Sequence, residues 1–599
     1  MPRIKTARCQ LQEKYVAIIA KHEDVLKKST PIFNIMGYAK LALVLLVGVL
    51  AFITFADGFS FLPVFIGAPA AAVLVVLWIN HIRLHERINR SKGIISICSR
   101  QIDRITGGWV NFEDTGAEYI DTEHRYACDL DIVGQKSVFQ LLNTTHTWHG
   151  RQRFASDLLN PDYCRAELLE RQAAISELSK DTEFSCDIEY SLSKIGVASS
   201  AVSLIDELEN SRPLVKSRAV RFMLTYLPIL SLAFIAATII FALEIFYITS
   251  GAIILAQAVI WVAGLTRTHR YTGTIASMPY RLSAYTNVID MLVKKDFSCI
   301  KLKQMQSRLR EASEAIRELG RIADMINAKS NGIVGFLLNI FLLWDYRCAL
   351  SLTRWKLNHS HLAEGWFATV GEFESMQCFS HLPNICSNAC MPTILKDGKT
   401  VTAHGMGHLL LPNESRVNND VHSSDNIFII SGSNMSGKTT FLRTVGVNLV
   451  LARLGSFVCA EQMACSLMSI MTSMRLADSL GEGISTFYAE LKRIKGIIEM
   501  AEKEPEMMFL IDEIFRGTNS IDRLAGAKTV ISKLDALGAA GMVSTHDLEL
   551  CSLDDVHVRV RNYSFSERYE NNAIFFEYKL RPGKSTTTNA EYLMKMVGI

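Results

Sequence analysis

The stretch Gly432-Ser433-Asn434-Met435-Ser436-Gly437-Lys438-Thr439 matches the phosphate-binding pattern G-x-x-x-x-G-K-[ST] at every fixed position. An apolar run at 427–430 comes just before it and predicts a buried strand, and the residues from Thr440 onward predict a helix. Glycines allow the backbone amides of such a loop to face phosphate oxygens, and the positive end of the helix attracts the anion. We therefore predict an ATP site made by these eight residues and Thr440. In that site Lys438 reaches the β- and γ-phosphates and the Thr439 hydroxyl binds Mg²⁺.

A second apolar run, residues 507–511, ends in two carboxylates, Asp512 and Glu513. Ligands of open α/β sheets bind at the carboxyl ends of the strands, so this position suits catalytic residues. Asp512 is predicted to hold Mg²⁺ through water, and Glu513 to orient or deprotonate the attacking water. With the upstream phosphate loop, this pair predicts a parallel α/β ATPase domain from residue 391 to the C-terminus.

The composition predicts more than one kind of domain. At 599 residues the chain is long enough for about three or four domains. The net charge of +3 neither favours nor excludes nucleic acid, because a local basic face can hide in a balanced total. The hydrophobic content of 49% and the mean hydropathy of +0.17 are high for a soluble protein and indicate membrane segments.

Two apolar blocks account for this excess: residues 39–79, interrupted at 56–60, and residues 222–265, interrupted near 244–250. Each block is long enough for two spans of about 20 residues, which predicts four transmembrane helices in two hairpins. Lysines and arginines flank both blocks, and the turns within the blocks contain neither. The positive-inside rule then predicts a multi-pass protein of the inner or plasma membrane, with both termini and the ATPase domain in the cytoplasm. The alternative is that these blocks are buried helices of a large soluble core.

Two further patterns have simple structural explanations. The apolar run 333–344 is too short to span a membrane, so a buried core helix is predicted there. The thirteen cysteines include no C-x-x-C pair and fit a reducing compartment. Cys378, His381, Cys386 and Cys390 are close in sequence, but their spacing matches no common zinc pattern, so ordinary thiols are favoured over a metal site.

Five motifs, in order along the C-terminal third, resemble those of the MutS mismatch-repair ATPase family, a branch of the ABC-type ATPases. The phosphate loop contains the Asn434-Met435 pair of that family, although Ser433 and Ser436 replace its usual proline and glycine. The other motifs are residues 454–460, where Cys459 replaces a proline, the signature segment 485–491, the Walker B segment 512–519 and the switch segment 544–546.

The resemblance implies a composite site at the interface of two chains. Because each chain has one phosphate loop and one signature segment, the working unit would be a homodimer. The resemblance further implies that Ser485 reaches the γ-phosphate bound by the other subunit and that Asp522 lies in the loop that crosses the interface. His546 would sense the γ-phosphate. The resulting candidate catalytic residues are Glu513, Lys438 and His546.

A weaker resemblance extends upstream, where residues 129–150 and 171–175 resemble the start of the MutS helical core and residues 280–382 the rest of it. In soluble members of the family, an N-terminal domain inserts an aromatic residue beside a mismatched base. No segment before Asp129 resembles that domain. The chain therefore resembles most the membrane-anchored MutS-related proteins. The predicted organisation is a charged helix (1–35), hairpin 1 (36–80), a cytoplasmic segment with the start of the core (81–221), hairpin 2 (222–266), a helical core or lever (267–390) and the ATPase domain (391–599).

These observations predict a membrane-anchored MutS-family ATPase that uses ATP hydrolysis at a dimer interface to drive conformational change. DNA is a candidate partner and mismatch repair a candidate process. Lysines and arginines between residues 294 and 310 are as consistent with a solvated helix as with a DNA-binding face. The alternatives are half of an ABC-type transporter and a membrane scaffold switched by ATP. The sequence does not identify protein partners.

Overall fold

The computed structural model of the chain describes residues 2–56, 61–196, 214–215, 217–276, 278–329, 332–475, 486–504, 506–515, 519–570 and 573–585. By its internal contacts the chain divides into two units. The first contains Met1–Leu142, Ser179–Tyr190 and His381–Ile599, and the second contains Asn143–Leu178 and Ser191–Ser380.

The described residues form mainly α-helices up to residue 385. These are α1 (Pro2–Ala56), α2 (Phe61–Thr106), α3 (Val138–Leu142), α4 (Trp148–Leu159), α5 (Arg165–Leu178), α6 (Thr182–Ser193), α7 (Arg218–Phe241), α8 (Glu244–Ala276), α9 (Pro279–Lys294), α10 (Ile300–Asn327), α11 (Gly332–Leu342), α12 (Trp344–Ser380) and α13 (Leu382–Ile385). The later helices are α14 (Lys438–Arg453), α15 (Thr486–Lys503) and α16 (Ser520–Ala536).

The strands all lie after residue 388 in the described part of the chain. They are β1 (Ala389–Cys390), β2 (Thr393–Ile394), β3 (Thr400–Met406), β4 (Asn419–Ser424), β5 (Ile427–Ser431), β6 (Val458–Cys459), β7 (Gln462–Cys465), β8 (Ser469–Ser473), β9 (Met507–Asp512), β10 (Ala540–Thr545), β11 (Val560–Glu570) and β12 (Ala573–Pro582). They form a six-stranded sheet in the order β12-β11-β5-β10-β9-β8, a four-stranded sheet in the order β2-β7-β3-β4, and a pair made by β1 and β6.

The six-stranded sheet positions the predicted site. Its strands β5, β10, β9 and β8 run parallel, and every residue of β5, β9 and β10 is buried, as expected for parallel strands covered on both faces. Ser544 of β10 pairs with Ile430 of β5 on one side and with Asp512 of β9 on the other. The carboxyl ends of the three strands are therefore level, and the strands predicted at 427–430 and 507–511 are confirmed.

The segment from Asp129 to Asp131 packs within the first unit, against strand β8 and helix α14. The Asp129 carboxylate accepts hydrogen bonds from Thr472 Oγ1 at 2.6 Å and from the Arg475 backbone amide at 2.9 Å. Asp131 forms an ion pair with Arg443 at 2.9 Å. These contacts tie residues far upstream in sequence to the helix that follows the phosphate loop.

The second unit is helical and contains a buried polar network among α4, α5 and α12. Asp157 accepts hydrogen bonds from Arg171 Nη2 and from Ser375 Oγ, both at 2.5 Å. All three side chains are buried, so the carboxylate and the guanidinium compensate each other's charge. The network fixes the register of α12 against α4 and α5.

Four helices are long and apolar enough to cross a membrane: 12–53 within α1, 65–106 within α2, α7, and 244–273 within α8. Their most apolar windows are between 0% and 22% buried within the protein. The break in the second apolar block differs from the prediction. Helix α7 ends at Phe241 and α8 begins at Glu244, so residues 244–250 are helical and the turn is Ala242-Leu243, with Ala242 at a φ of +50°.

The apolar run at 333–344 does not form the buried core helix that its length predicts. It forms α11, on which Ile333 is 74% exposed and Phe336 51% exposed, while Gly335 and Asn339 are buried. Helix α11 packs along α7 and α8 through one face. The prediction was wrong because length alone does not reveal whether neighbouring helices cover both faces.

Packing in the six-stranded sheet makes Gly541 a sensitive position. A Cβ atom there would overlap the Phe509 ring on the adjacent strand β9. We expect Gly541→Ala to lower the free energy of unfolding by about 1–3 kcal/mol, because the ring is fully buried and has little room to shift. The measurement is the urea midpoint of the full chain in detergent. Gly496→Ala on α15 is the matched control, since its Cβ would meet the flexible end of Met471 at 3.0 Å. Equal midpoints for Gly541→Ala and the wild type would contradict this packing.

Candidate active site

The phosphate-binding loop links β5 to α14 through backbone conformations that favour glycine. Gly432 and Gly437 have φ values of +152° and +104°, and Met435 has a φ of +69°. Lys438 Nζ donates hydrogen bonds to the carbonyls of Gly432 at 2.7 Å and Ser433 at 2.8 Å, which keeps the ammonium group within the loop. The hydroxyl of Ser436 is buried and has no hydrogen-bond partner among the described residues. The loop therefore presents a cation and an unused hydroxyl donor, as a phosphate site requires.

Two oxygen ligands meet where α14 begins and β9 ends. Thr439 Oγ1 donates a hydrogen bond to Asp512 Oδ2 at 2.8 Å, and Ser544 Oγ on β10 donates to the other carboxylate oxygen. A hydroxyl and a carboxylate are the hard oxygen donors that Mg²⁺ prefers. The residues predicted to hold the metal ion, Thr439 and Asp512, are thus in direct contact and fit that ion.

Glu513 and His546 face each other beside this pair. The distance between Glu513 Oε1 and His546 Nδ1 is 3.3 Å, and the side chains are 20% and 43% exposed. Glu513 has a φ of +59°, and its amide donates to the Ser544 carbonyl at 3.2 Å, so the backbone turns sharply at the end of β9. This turn directs the carboxylate into the same cavity as the phosphate loop.

The cavity has a volume of about 510 Å³. Its walls include the whole of 433–441, and the residues that complete them are His408, Leu411, Ser415, Val417, Asn419, Thr444, Glu513, Phe565 and Tyr578. Burial, and then the nearby charges of Arg443 and Arg416, lower the pKa of His408 to about 4, so this wall residue is neutral at pH 7. The Tyr578 ring lies directly over Gly437, where a Cβ would meet it at 3.0 Å.

The family resemblance places two residues, Asp522 and Ser485, at a dimer interface. The structure describes Asp522 but not Ser485. Asp522 lies in the exposed first turn of α16, where its amide donates to Asn519 Oδ1 at 2.9 Å and its carboxylate accepts from Asn519 Nδ2 at 2.7 Å. Ser485 lies outside the described residues. Thr440 lines the cavity with the rest of the loop.

Several residues at the site are not evident from the sequence. Ser544 is recognisable only as part of a motif, and its contact with Asp512 depends on the alignment of β9 and β10. Glu567 accepts a hydrogen bond from Ser433 Oγ at 2.9 Å, and Glu490 accepts one from the Phe515 amide at 2.5 Å. No local sequence pattern identifies Tyr578 as a site residue, because it is one aromatic residue in a strand about 140 residues after the loop.

Comparison with known proteins identifies the same region. Residues 428–599 match the family model of MutS domain V. The chain is 32% identical over 221 residues to the DNA mismatch repair protein MutS of Lactobacillus helveticus, which covers 36% of this chain and 26% of that protein. It is 32% identical over 187 residues to the MutS of Thermosipho melanesiensis, covering 31% of this chain and 23% of that protein. The chain thus spans about a quarter of the length of these relatives.

A phosphate loop, an acidic strand end and a parallel sheet together define a nucleotide-binding ATPase domain of the α/β class. The match to MutS domain V specifies the family. The C-terminal part of this chain is a MutS-family ATPase domain, which confirms the resemblance seen in its motifs.

Proposed function

We propose that the protein binds ATP with Mg²⁺ and hydrolyses it to ADP and phosphate. The observation that carries this proposal is the 2.8 Å contact between Thr439 and Asp512 at the mouth of the phosphate loop. A threonine hydroxyl and an aspartate that meet beside a phosphate loop form the metal-binding pair of P-loop ATPases. Thr439 and Asp512 would hold Mg²⁺, and the positive charge of the ion would help to stabilise the negative charge of the phosphates.

Each residue of the site has a distinct part in this reaction. The loop amides and Lys438 bind the phosphates and stabilise negative charge as the terminal phosphate leaves. Glu513 orients a water molecule in line with that phosphate and accepts its proton. His546, 3.3 Å from Glu513, holds the carboxylate in position and responds to the γ-phosphate.

The purine ring is proposed to bind on the other side of the loop. Tyr578 offers an aromatic face over Gly437, and Leu411 adds an apolar wall of the same cavity. A purine would stack on the ring and bury apolar area against the leucine. A purine at this position is compatible with phosphates in the loop, because Tyr578, Leu411 and the loop line the same cavity.

We propose that two copies of the chain complete the site. Met435 in the phosphate loop is 84% exposed and Ile521 beside Asp522 is 80% exposed. Large apolar side chains next to catalytic groups are suited to burial by a partner surface. In a homodimer the Ser485 segment and the Asp522 loop of one chain would act on the nucleotide bound by the other, as in the family that the motifs resemble.

Membrane anchoring through the two hairpins is proposed from the exposed apolar surface of their helices. Leu45 and Val49 on α1 are 63% and 56% exposed, and Leu255 and Val259 on α8 are 67% and 62% exposed. Surfaces of this kind are stable in hydrocarbon and unfavourable in water. The exposed face of α11 adds to that of α7 and α8, so we propose that α11 also enters the lipid. The positive flanks favour a cytoplasmic ATPase domain, at the inner or plasma membrane.

DNA is proposed as the partner on which the ATPase cycle acts. The relatives are named as DNA mismatch repair proteins, and helix α10 carries Lys303, Arg308 and Arg310 on its exposed surface. Basic residues on an exposed helix can bind phosphates without reading sequence. This proposal concerns DNA binding and not the recognition of mismatches.

Replacement of the proposed general base tests the reaction. We expect Glu513→Gln to lower kcat for ATP hydrolysis by roughly 10²-fold or more while ATP still binds, because the amide cannot accept the proton of water. The measurement is phosphate release by detergent-purified protein, with ATP binding followed by a fluorescent analogue. Glu506→Gln, at an exposed position before β9, is the control and should leave the rate unchanged. Normal hydrolysis by Glu513→Gln would remove Glu513 from the mechanism and favour an ATP-switched scaffold.

Insertion of charge into both hairpins tests the membrane proposal. The wild type should stay with membranes after alkaline carbonate washing. The variant Leu45→Arg, Val49→Arg, Leu255→Arg, Val259→Arg should not, since each arginine at the centre of a span costs about 2.5–3.5 kcal/mol. The control places four arginines at exposed apolar positions outside the spans, Ile120, Leu169, Val556 and Val558. Release of the wild type by carbonate would refute anchoring, and ATP-driven solute flux in vesicles would favour a transporter.

Fluorescence anisotropy with a labelled duplex tests the DNA proposal. We expect binding that weakens as salt rises. The slope of this salt dependence should fall by about 1 for each side chain that binds a phosphate in the wild type and is neutralised in the variant Lys303→Gln, Arg308→Gln, Arg310→Gln. The control neutralises Lys180, Lys495 and Lys503, which are also exposed. If neither duplex nor mismatched DNA binds or changes the ATPase rate, DNA is not the partner.

A further inference from the structure

Two buried cysteines face each other behind the nucleotide cavity. Cys386 follows α13 and Cys459 ends β6, and their sulfur atoms lie 2.8 Å apart, within hydrogen-bonding distance. Both side chains are almost fully buried. The Cys459 amide also donates to Asn448 Oδ1 of α14 at 2.7 Å. A proline at this position, as the family motif has, could offer neither this hydrogen bond nor a thiol.

Arg416 connects this thiol pair to the wall of the nucleotide cavity. Its Nη1 lies 3.0 Å from the Cys386 sulfur and 2.8 Å from the Cys459 sulfur. Its Nη2 donates to the Leu411 carbonyl at 2.6 Å. Leu411 and two neighbours of Arg416, Ser415 and Val417, line the nucleotide cavity. The guanidinium group therefore holds one end of this cavity wall to the two sulfurs.

The surroundings of the pair favour a thiolate on one cysteine and a thiol on the other. Burial raises the pKa of the Cys386 thiol, but the hydrogen bond with Cys459 and the charge of Arg416 outweigh burial and lower this pKa to about 6. Burial, and then the hydrogen bond with Cys386, raise the pKa of Cys459 well above its usual value. At pH 7 the pair thus holds one thiolate, next to a cation, and one thiol that retains its proton.

We propose that Cys386 and Cys459 form a reversible disulfide in response to a hydroperoxide, and that this oxidation loosens the Arg416 contact and weakens nucleotide binding. The second half of this inference rests on the proposed ATP site. The first half, formation of the disulfide, depends only on the positions of the two sulfurs and the guanidinium group.

The reaction balances with hydrogen peroxide, the simplest hydroperoxide, as the oxidant. The Cys386 thiolate attacks one peroxide oxygen, the O–O bond breaks, and the leaving hydroxide takes up a proton to form water. The Cys459 sulfur then attacks the Cys386 sulfenic acid, the S–S bond forms, the S–O bond breaks, and the second water carries away the Cys459 proton. The two cysteines together lose two electrons, and one hydrogen peroxide molecule is reduced to two waters.

A second cavity comes close to the pair, although neither sulfur lines it. This cavity, of about 720 Å³, is lined by Arg416, Gly405, Asn418 and Glu461, and so reaches the guanidinium group that contacts both sulfurs. Oxidation removes the negative charge that Arg416 faces. Because the disulfide sulfurs are weak acceptors, the guanidinium loses its charge-assisted hydrogen bonds, and the loop that carries Leu411 loses its anchor.

A second cysteine pair in the chain provides an internal comparison. Cys98 and Cys186 are also buried together, but their sulfurs are 3.7 Å apart. The hydrogen bond with Cys98, and then burial, raise the pKa of Cys186, so Cys186 retains its proton at pH 7. Both sites therefore bring two cysteines together, but the first pair also has a guanidinium group in contact with both sulfurs.

The test treats the detergent-purified full chain with hydrogen peroxide, blocks the remaining thiols and maps disulfides by mass spectrometry. Affinity for a fluorescent ATP analogue is measured in parallel. We expect a 386–459 disulfide before any 98–186 disulfide, an analogue affinity roughly tenfold weaker, and recovery of both on adding dithiothreitol. Cys386→Ala and Cys459→Ala each remove one contact of Arg416 and are expected to bind the analogue more weakly from the start, but peroxide should change the affinity of either variant little. Cys465→Ala, which removes another buried thiol of the ATPase domain, should respond as the wild type does.

Two results would overturn the inference. If both thiols stay reduced at peroxide levels that oxidise exposed Cys164, the pair is not a redox site. If the disulfide forms and affinity is unchanged, the link through Arg416 is wrong. Failure of the reduced wild type to bind the analogue would instead count against the proposed ATP site, while the disulfide map would still decide the chemistry of the pair.

Discussion

The level alignment of β5, β10 and β9 is the constraint on which the active site depends. Parallel pairing brings the phosphate loop that follows β5 and the carboxylates that follow β9 to the same edge of the sheet, with Ser544 of β10 between them. Thr439 and Asp512 are 73 residues apart in sequence but in hydrogen-bonding contact for this reason. A shift of one residue in this register would turn the Asp512 side chain to the other face of the sheet and separate the two ligands.

The chain combines regions with opposite solvent requirements. The ATPase sheet buries its apolar residues under helices, as a water-soluble domain does. The hairpin helices and α11 leave theirs exposed, which suits hydrocarbon. Under the proposed membrane anchoring, the nucleotide site would stay in water and the apolar helices would lie in lipid.

The region behind the phosphate loop departs from the family pattern in a way that has structural consequences. Cys459, at the position where the motif that it resembles has a proline, supplies an amide that donates to Asn448 of α14 and a thiol that faces Cys386. Arg416 then joins that thiol pair to the Leu411 carbonyl. In the sequence Cys386 is indistinguishable from an ordinary thiol, because its partner lies 73 residues away and only the pairing of β1 with β6 brings the two segments together.

Local sequence was enough to establish the ATPase domain, its family, and the strands that deliver Lys438, Asp512 and Glu513. These features are encoded in glycine positions, apolar runs and motifs of a few residues, and so need no long-range contact to be recognised. Membrane hairpins were predicted from the same kind of local signal and stay a prediction. Only the folded arrangement reveals that Ser544 supports Asp512, that Tyr578 covers the loop, that Cys386 meets Cys459, and that α11 is exposed on one face. Each of these depends on how distant strands and helices are placed beside one another, which periodicity and composition along the chain do not specify.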